Sequence, residues 1–335
     1  MPEQVLAPES ATMALKYGEA VNAALVRALA EIPQTLFYGE DVALPGGVFG
    51  VSRGLQRRFG DRVFDTPISE SAILGSAVGA ALMGLRPIVE IMWADFSLVA
   101  FDQLVNQVAN ARYVSRGEAP APIVVRTQQG AAPGSCAQHS QSLEALFLHV
   151  PGLRVVMPWT PQDAYDALLA AVHSDDPVIV IENRTLYAGA KADVTVGGRP
   201  RPIGWSSVRR SGVDVTVATW GAMTGRVLQA AEQLAEDGVE IEVVELTWLN
   251  PLDLSAVRES LRRTGRLAVV HEANVTGGFG AEVVARITET GVPLLTPPLR
   301  VGTPDVRLPA APVLADALVP SPDHIAGELR KLVGR

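Results

Sequence analysis

The stretch GDRVFDTPISESAILGSAVGAALMGLRPIVEIMW (Gly60–Trp93) decides how the chain is read. An apolar run, RVFDTPI, passes into a helical segment, SESAILGSAVGAALMG. A second apolar run, LRPIVEIMW, follows. At the junction of the first run and the helix stands one acid, Glu70. A Ser or Thr before a helix is a good cap, and an acid in the first turn suits the helix dipole. Its surroundings argue for more than a cap. The helix beyond it sets Gly75, Gly79 and Gly84 among alanines, which allows another backbone to approach closely. Ligands of open α/β sheets also bind beyond the carboxyl ends of strands, where this acid falls.

The same alternation extends in both directions. Upstream lie a helical stretch from Tyr17 to Ile32, a short strand TLFYGED and a short helix SRGLQRRF. Downstream come a long helix FDQLVNQVANARYVSRG, the strands APIVVRT and LRVVMP, the helix PQDAYDALLAAVHS and the strand PVIVIEN. Continuously apolar strands alternating with helices spell a parallel sheet covered on both faces. Between Ala188 and Gly212 the pattern gives way to a Gly-, Pro- and Arg-rich connecting segment. A second set follows: VDVTVATWG, TGRVLQAAEQLAEDG, EIEVVEL, LSAVRESLRRTG, RLAVVHEA and GAEVVARITETG. The expected architecture is therefore two α/β domains with mainly parallel sheets, over 12–187 and 213–335, joined by a linker at 188–212. A chain of 335 residues suits two cores better than one.

Composition narrows the function. With 48% hydrophobic and 19% charged residues, the chain reads as globular rather than disordered. A net charge of -8 and no basic block argue against nucleic acid as a partner. No apolar window reaches the length of a membrane span, and MPEQVLAPES, read as a loose tail, lacks the form of a signal peptide. One cysteine, Cys136, cannot make an internal disulfide and is assigned no role. The cytoplasm is the expected setting.

Glu40 ends its strand in the same manner as Glu70 follows the next, so the two acids are expected to share a crevice and hold or relay a proton. The loop RTQQGAAPGSCAQHSQS (Arg126–Ser142) carries His139, an acid/base or hydrogen-bond candidate in a polar setting. Scattered histidines give no transition-metal site, and no phosphate-binding loop or dinucleotide fingerprint is present.

GED (Gly39–Asp41), SRGLQRRFG, RVFDTPISE, GLRPIVEIM, FDQLVNQ, QHSQS, PGLRVV and TGGFGAE occur in an order that resembles the beta subunits of thiamine-diphosphate-dependent 2-oxo acid dehydrogenase E1 components. The likeness runs from about Leu15 nearly to the C-terminus. It implies a transketolase-like pyrimidine-binding domain followed by a transketolase C-terminal domain. By the same resemblance, Glu70 bonds the aminopyrimidine of thiamine diphosphate and Glu40 belongs to the proton network. Ile68, Met92 and Phe96 line the ring's pocket, and His139 orients substrate near the reacting end and assists acyl transfer. The implied reaction decarboxylates a 2-oxo acid, pyruvate or branched-chain, to an enamine and passes the acyl group to a lipoylated E2 acyltransferase.

The chain lacks the Gly-Asp-Gly motif that, in the family, helps bind diphosphate and magnesium. The resemblance therefore implies an alpha subunit holding both, in an α2β2 heterotetramer, with the small-residue helix after Glu70 as a seam. A potassium ion bound through backbone oxygens of Ala171, Val172, Ser174 and Asp176 is a weaker implication. The sequence departs from the family at Gln128, Gln129 and Thr247. The two glutamines are read as part of the His139 loop, where they alter substrate choice or partner geometry. Thr247 replaces an arginine, a change read as bearing on assembly. WADF (Trp93–Phe96) and HEA (His271–Ala273) lean slightly towards branched-chain members, with pyruvate, acetoin and branched 2-oxo acids all left open. Two other readings stand beside this one: a split transketolase-like enzyme that hands its enamine to an aldehyde or carrier protein, and a non-catalytic subunit that stabilises the alpha chain.

Overall fold

A computed structural model describes residues 10–334; the expected tail, but for its last residue, lies outside them. Fourteen strands are present among these residues: β1 Ala11–Leu15, β2 Thr35–Gly39, β3 Val63–Asp65, β4 Arg86–Ile91, β5 Val124–Gln129, β6 Arg154–Val156 and β7 Val178–Asn183 in the first half. Then come β8 Ala192–Val196, β9 Ser207–Arg210, β10 Val215–Thr219, β11 Ile241–Glu245, β12 Trp248–Asn250, β13 Leu267–Asn274 and β14 Leu299–Thr303. The α-helices are α1 Tyr17–Glu31, α2 Leu55–Phe59, α3 Glu70–Leu82, α4 Ala111–Val114, α5 Glu144–Leu148 and α6 Pro161–Val172. They continue with α7 Met223–Glu236, α8 Ser255–Thr264, α9 Gly280–Glu289, α10 Pro312–Asp316 and α11 Pro322–Val333.

Seven strands form the first sheet in the order β12-β6-β7-β5-β4-β2-β3, parallel except where β12 meets β6. The second sheet runs β14-β13-β10-β11-β9, parallel except at β9. The expected α/β class with mainly parallel sheets is what the chain adopts. Strands such as VIVI and LAVV are apolar on both faces because helices cover both. Helices α1 and α6 close one side of the first sheet over Tyr17, Leu25, Phe37 and Val180. On the other side, one continuous core runs from Leu74, Val89 and Ile91 to Trp220, Leu246 and Val269, so it belongs to both sheets. Helices α7 and α11 cover the far face of the second sheet.

Three local expectations change. The stretch expected as one long helix after Phe101 breaks into a π-helical turn, Gln103–Val108, and the short α4. Asn110 donates from its side-chain amide to the carbonyls of Val105 and Asn106 (3.4 and 3.3 Å), which competes with the helical ladder. Gln128 and Gln129 are not loop residues: they are the last two residues of β5, paired in register with Glu182 and Asn183 and almost wholly buried. The connecting segment carries more order than its composition suggests, since β8 pairs with β1 and β9 joins the second sheet. That segment also brings Arg209 onto Glu245 and, at 2.5 Å, onto Asp163. Its guanidinium thereby supplies a cation next to Thr247, whose hydroxyl donates to Glu245 at 3.2 Å.

Candidate active site

Four neighbouring strands deliver the site. Glu40 comes directly after β2, and Glu70 opens α3 beyond β3. Met92, Trp93 and Phe96 follow β4, and His139 lies in the loop after β5. Because β2 sits between β3 and β4, the chain leaves it in one direction and returns on the other side. That reversal is a topological switch point, where an open parallel sheet forms a crevice at its carboxyl edge. Gly39 allows the strands to meet there, since a Cβ on it would lie 2.6 Å from the Glu90 carbonyl oxygen.

The structure brings the two acids together. Glu40 and Glu70 are 8% and 7% exposed, and neither carboxylate makes a hydrogen bond or ion pair among the described residues. Burial raises the Glu40 pKa above the ordinary value, and the negative charges of Glu70 and Asp41 push it the same way. An acid pair without a cation or hydrogen-bond donor leaves room for a partner group that supplies one.

His139 is half-buried, with its ring set edge-on to Trp93 (5.5 Å between centroids) and to Phe96 (5.3 Å). Its loop is tied at several points. Ser140 donates to the Cys136 carbonyl, and Gln141 donates to Asp95 Oδ1 at 2.8 Å. From the second half of the chain, Arg307 reaches Gln141 Oε1. Met92 and Phe96 are half-buried, whereas Ile68 is 81% exposed with no cover from this chain.

Behind the crevice lies a set of contacts around Gln129 and Glu272 whose other partners, Glu144, Trp220 and Asn183, the sequence did not point to. Gln129 accepts from Leu143 N (3.2 Å) and donates to Glu144 (2.9 Å), and Trp220 also donates to Glu144 (3.3 Å). Glu272, from the HEA motif, accepts from Ala131 N (2.6 Å) and Asn183 Nδ2 (2.7 Å). Burial raises the pKa of both Glu144 and Glu272. These bonds fasten both ends of the His139 loop to the second half. The strand-end logic that found Glu40 also applies to Asn183 and Arg184, which close and follow β7. Glu272 was beyond reach, because nothing local pairs it with Ala131.

In the segment expected to hold potassium, each of the four carbonyls already accepts a hydrogen bond. The Ala171 carbonyl accepts from Ser174 N (3.0 Å), and the Asp176 carbonyl accepts from Ser174 Oγ (2.8 Å). The Val172 and Ser174 carbonyls both accept from the Arg86 guanidinium, at 2.9 and 3.0 Å. A cationic side chain is thus bonded to two of the four carbonyls, which disfavours a second cation beside it. Among the described residues no cluster of His, Cys, Asp or Glu is arranged to hold a metal, and no helix is long and apolar enough to cross a membrane.

Fold and site together define a transketolase-like chain. Residues 13–189 match the transketolase pyrimidine-binding domain and residues 204–325 the transketolase C-terminal domain. The chain is similar to the beta subunit of acetoin:2,6-dichlorophenolindophenol oxidoreductase of Cupriavidus necator, 41% identical with 93% of this chain and 95% of that one covered. It is 39% identical to the 2-oxoisovalerate dehydrogenase beta subunit of Bacillus subtilis, covering 95% and 98%. The beta-2 subunit of the mitochondrial pyruvate dehydrogenase E1 component of Oryza sativa subsp. japonica is also 39% identical, over 92% and 83%. A solved structure titled "Split gene transketolase, inactive beta4 tetramer" shares the fold, with a TM-score of 0.78 over 96% of this chain and 99% of that one at 24% identity. The chain belongs to the family of E1 beta subunits of thiamine-diphosphate-dependent 2-oxo acid dehydrogenases.

Proposed function

We propose that this chain, paired with an alpha subunit, decarboxylates a 2-oxo acid with thiamine diphosphate and passes the acyl group to a lipoylated E2. The observation that carries the reading is the Glu40–Glu70 pair, two buried carboxylates without an internal partner at the switch point of the sheet. The residues present fit an aminopyrimidine ring. Glu70 offers a carboxylate for the ring's hydrogen-bonding edge, Met92 and Phe96 give an apolar wall, and Ile68, two residues before Glu70, stands uncovered. Thiamine diphosphate, when bound, supplies the electron sink that decarboxylation needs. Glu70 would hold and exchange a proton at the ring nitrogen, in a setting that excludes water. Glu40 would keep a second proton within electrostatic reach, and His139 would orient the substrate from its place between Trp93 and Phe96.

Only half of such a site is built here. The outward side of α3 presents Ser71, Ala72, Ser76 and Gly79, then Leu82 and Met83, the last 82% exposed. A Cβ on Gly79 would meet nothing within 4 Å, so the glycine serves no contact within the chain. With Ile68 and Val99 exposed nearby, this face suits an alpha subunit that completes the cofactor pocket and holds the diphosphate and magnesium. An α2β2 assembly in the cytoplasm is the corresponding expectation. The split-transketolase reading has only the likeness of fold in its favour.

The test is to co-express the chain with an alpha subunit and supply thiamine diphosphate, magnesium, 2-oxo acids and a lipoylated E2 domain. Carbon dioxide release together with lipoyl acylation is expected. Carbon dioxide release without acylation would move the protein to the split-transketolase class.

A further inference from the structure

We infer that Trp93 sets the size of the acyl substituent accepted at this site, and that Arg184 is its positioning residue. The preferred donors then carry a methyl group rather than a branched chain on the carbonyl carbon. The inference rests on the proposed function and names its substrate class. It departs from the slight branched-chain lean of WADF and HEA.

Trp93 has a φ of 70°, in the left-handed region that side chains larger than glycine rarely adopt. A bulky residue stays there only when its surroundings over-determine it, and such positions cluster at ligand clamps. The surroundings here are specific. The Arg184 guanidinium lies over the indole at 4.2 Å from its centroid. That guanidinium is held by two hydrogen bonds to the Gly130 carbonyl, at 2.7 and 3.2 Å, and forms no ion pair among the described residues. Its defined contacts are a backbone oxygen and an aromatic face.

The ring is also backed from behind. Phe49 meets it edge-on at 5.2 Å and stacks on Tyr187 at 5.0 Å, and Tyr187 meets Tyr17 at 5.7 Å. Both tyrosines are anchored, Tyr187 by donating to Glu182 (2.5 Å) and Tyr17 by donating to the Pro158 carbonyl (3.2 Å). An indole held by a cation on its face and a chain of anchored rings behind it cannot retreat. It stands one ring from His139. A longer substituent at the reacting end therefore meets a fixed wall, while a methyl group does not.

The test uses the assembled alpha–beta pair with thiamine diphosphate and magnesium, and pyruvate against 3-methyl-2-oxobutanoate as donors. The parent enzyme is expected to favour pyruvate in kcat/KM by about tenfold or more. Trp93→Gly removes the indole and suits the left-handed backbone, so it should fold; it is expected to shift that ratio at least about tenfold towards the branched donor. Trp93→Phe, a smaller ring, should shift it in the same direction by less. Arg184→Gln should move the ratio part of the way, with Arg184→Lys restoring it, because either cation can sit on the ring. A second readout needs no turnover: near-ultraviolet circular dichroism of the cofactor-free pair should lose aromatic signal in Arg184→Gln and regain it in Arg184→Lys. A ratio unmoved by both Trp93 variants overturns the wall, as does a parent that favours the branched donor. A parent pair that turns over neither donor overturns the proposed activity itself.

Discussion

Two pairs of acids are buried in the first sheet, and their surroundings differ in one respect. Glu90 and Glu182, on β4 and β7, flank Arg126 on β5. Its guanidinium donates to Glu90 at 2.5 Å and to both oxygens of Glu182, at 2.7 and 3.0 Å. Glu40 and Glu70, at the carboxyl edge of the same sheet, have no cation among the described residues. Burial raises the pKa of Glu90 as it does that of Glu40, but Arg126 opposes the shift at Glu90 whereas Glu70 adds to it at Glu40. Burial alone therefore does not mark a functional carboxylate. The lack of any internal partner does: Glu144 and Glu272 also form no ion pair, but each accepts two hydrogen bonds, whereas Glu40 and Glu70 accept none among the described residues.

Substitutions can break this comparison at either pair. The largest effect is expected from Glu70→Gln, which should lower turnover of the assembled enzyme by about a hundredfold or more while leaving assembly intact. Unchanged turnover would remove Glu70 from the chemistry. Arg126→Met should do the reverse. It strands two buried carboxylates and should destabilise the fold by about 3–5 kcal/mol in a denaturant titration.

A third expectation concerns pH and comes from the buried His271, stacked on Trp220 at 5.3 Å. Burial is the main cause that lowers its pKa from 6.5 to about 4. The unfolded chain binds the proton first, so stability present above pH 6.5 is lost as pH falls towards 4. The loss amounts to about 3 kcal/mol. Melting curves of His271→Phe should be flatter over that window; a parallel slope would show that other groups dominate.

The smallest effect is expected from Glu40→Gln. The pKa of Glu40 is raised in the folded state, so its contribution is present at low pH and lost as pH rises above the ordinary carboxylate range. The variant should match the parent near pH 4 and be equally or slightly more stable near pH 8, by thermal melting. A variant less stable at pH 8 would mean that Glu40 has a cationic partner after all.

What the sequence revealed followed from periodicity and position along the chain. Continuous apolar runs such as VIVI and LAVV disclosed a parallel sheet, because strands covered on both faces are written that way. Glu40 and Glu70 are legible because strand ends of such sheets converge, His139 because it lies in a polar loop, and the order of motifs adds Ile68, Met92 and Phe96 as candidates. Gln128 and Gln129 were misread because polarity suggested a loop. Their partners, Glu144 and the backbone amides of Trp93 and Leu143, are visible only after folding. Glu272 and Arg307 stayed hidden for the same reason: each acts on a loop more than a hundred residues away. Asn110 broke a helix whose apolar pattern was sound, since side-chain competition for carbonyls leaves no trace in periodicity.

The short strand β12 has a consequence for biogenesis. It is encoded in the second half of the chain but pairs antiparallel with β6, at the border of the first sheet. Until it arrives, β6 presents an open hydrogen-bonding edge, a template for neighbouring nascent chains. About 90 residues must leave the ribosome between β6 and β12 before that edge is sealed. The amino-terminal sheet is thus completed late in synthesis, and a chain interrupted near residue 205 should be prone to aggregate instead of surviving as a half-protein.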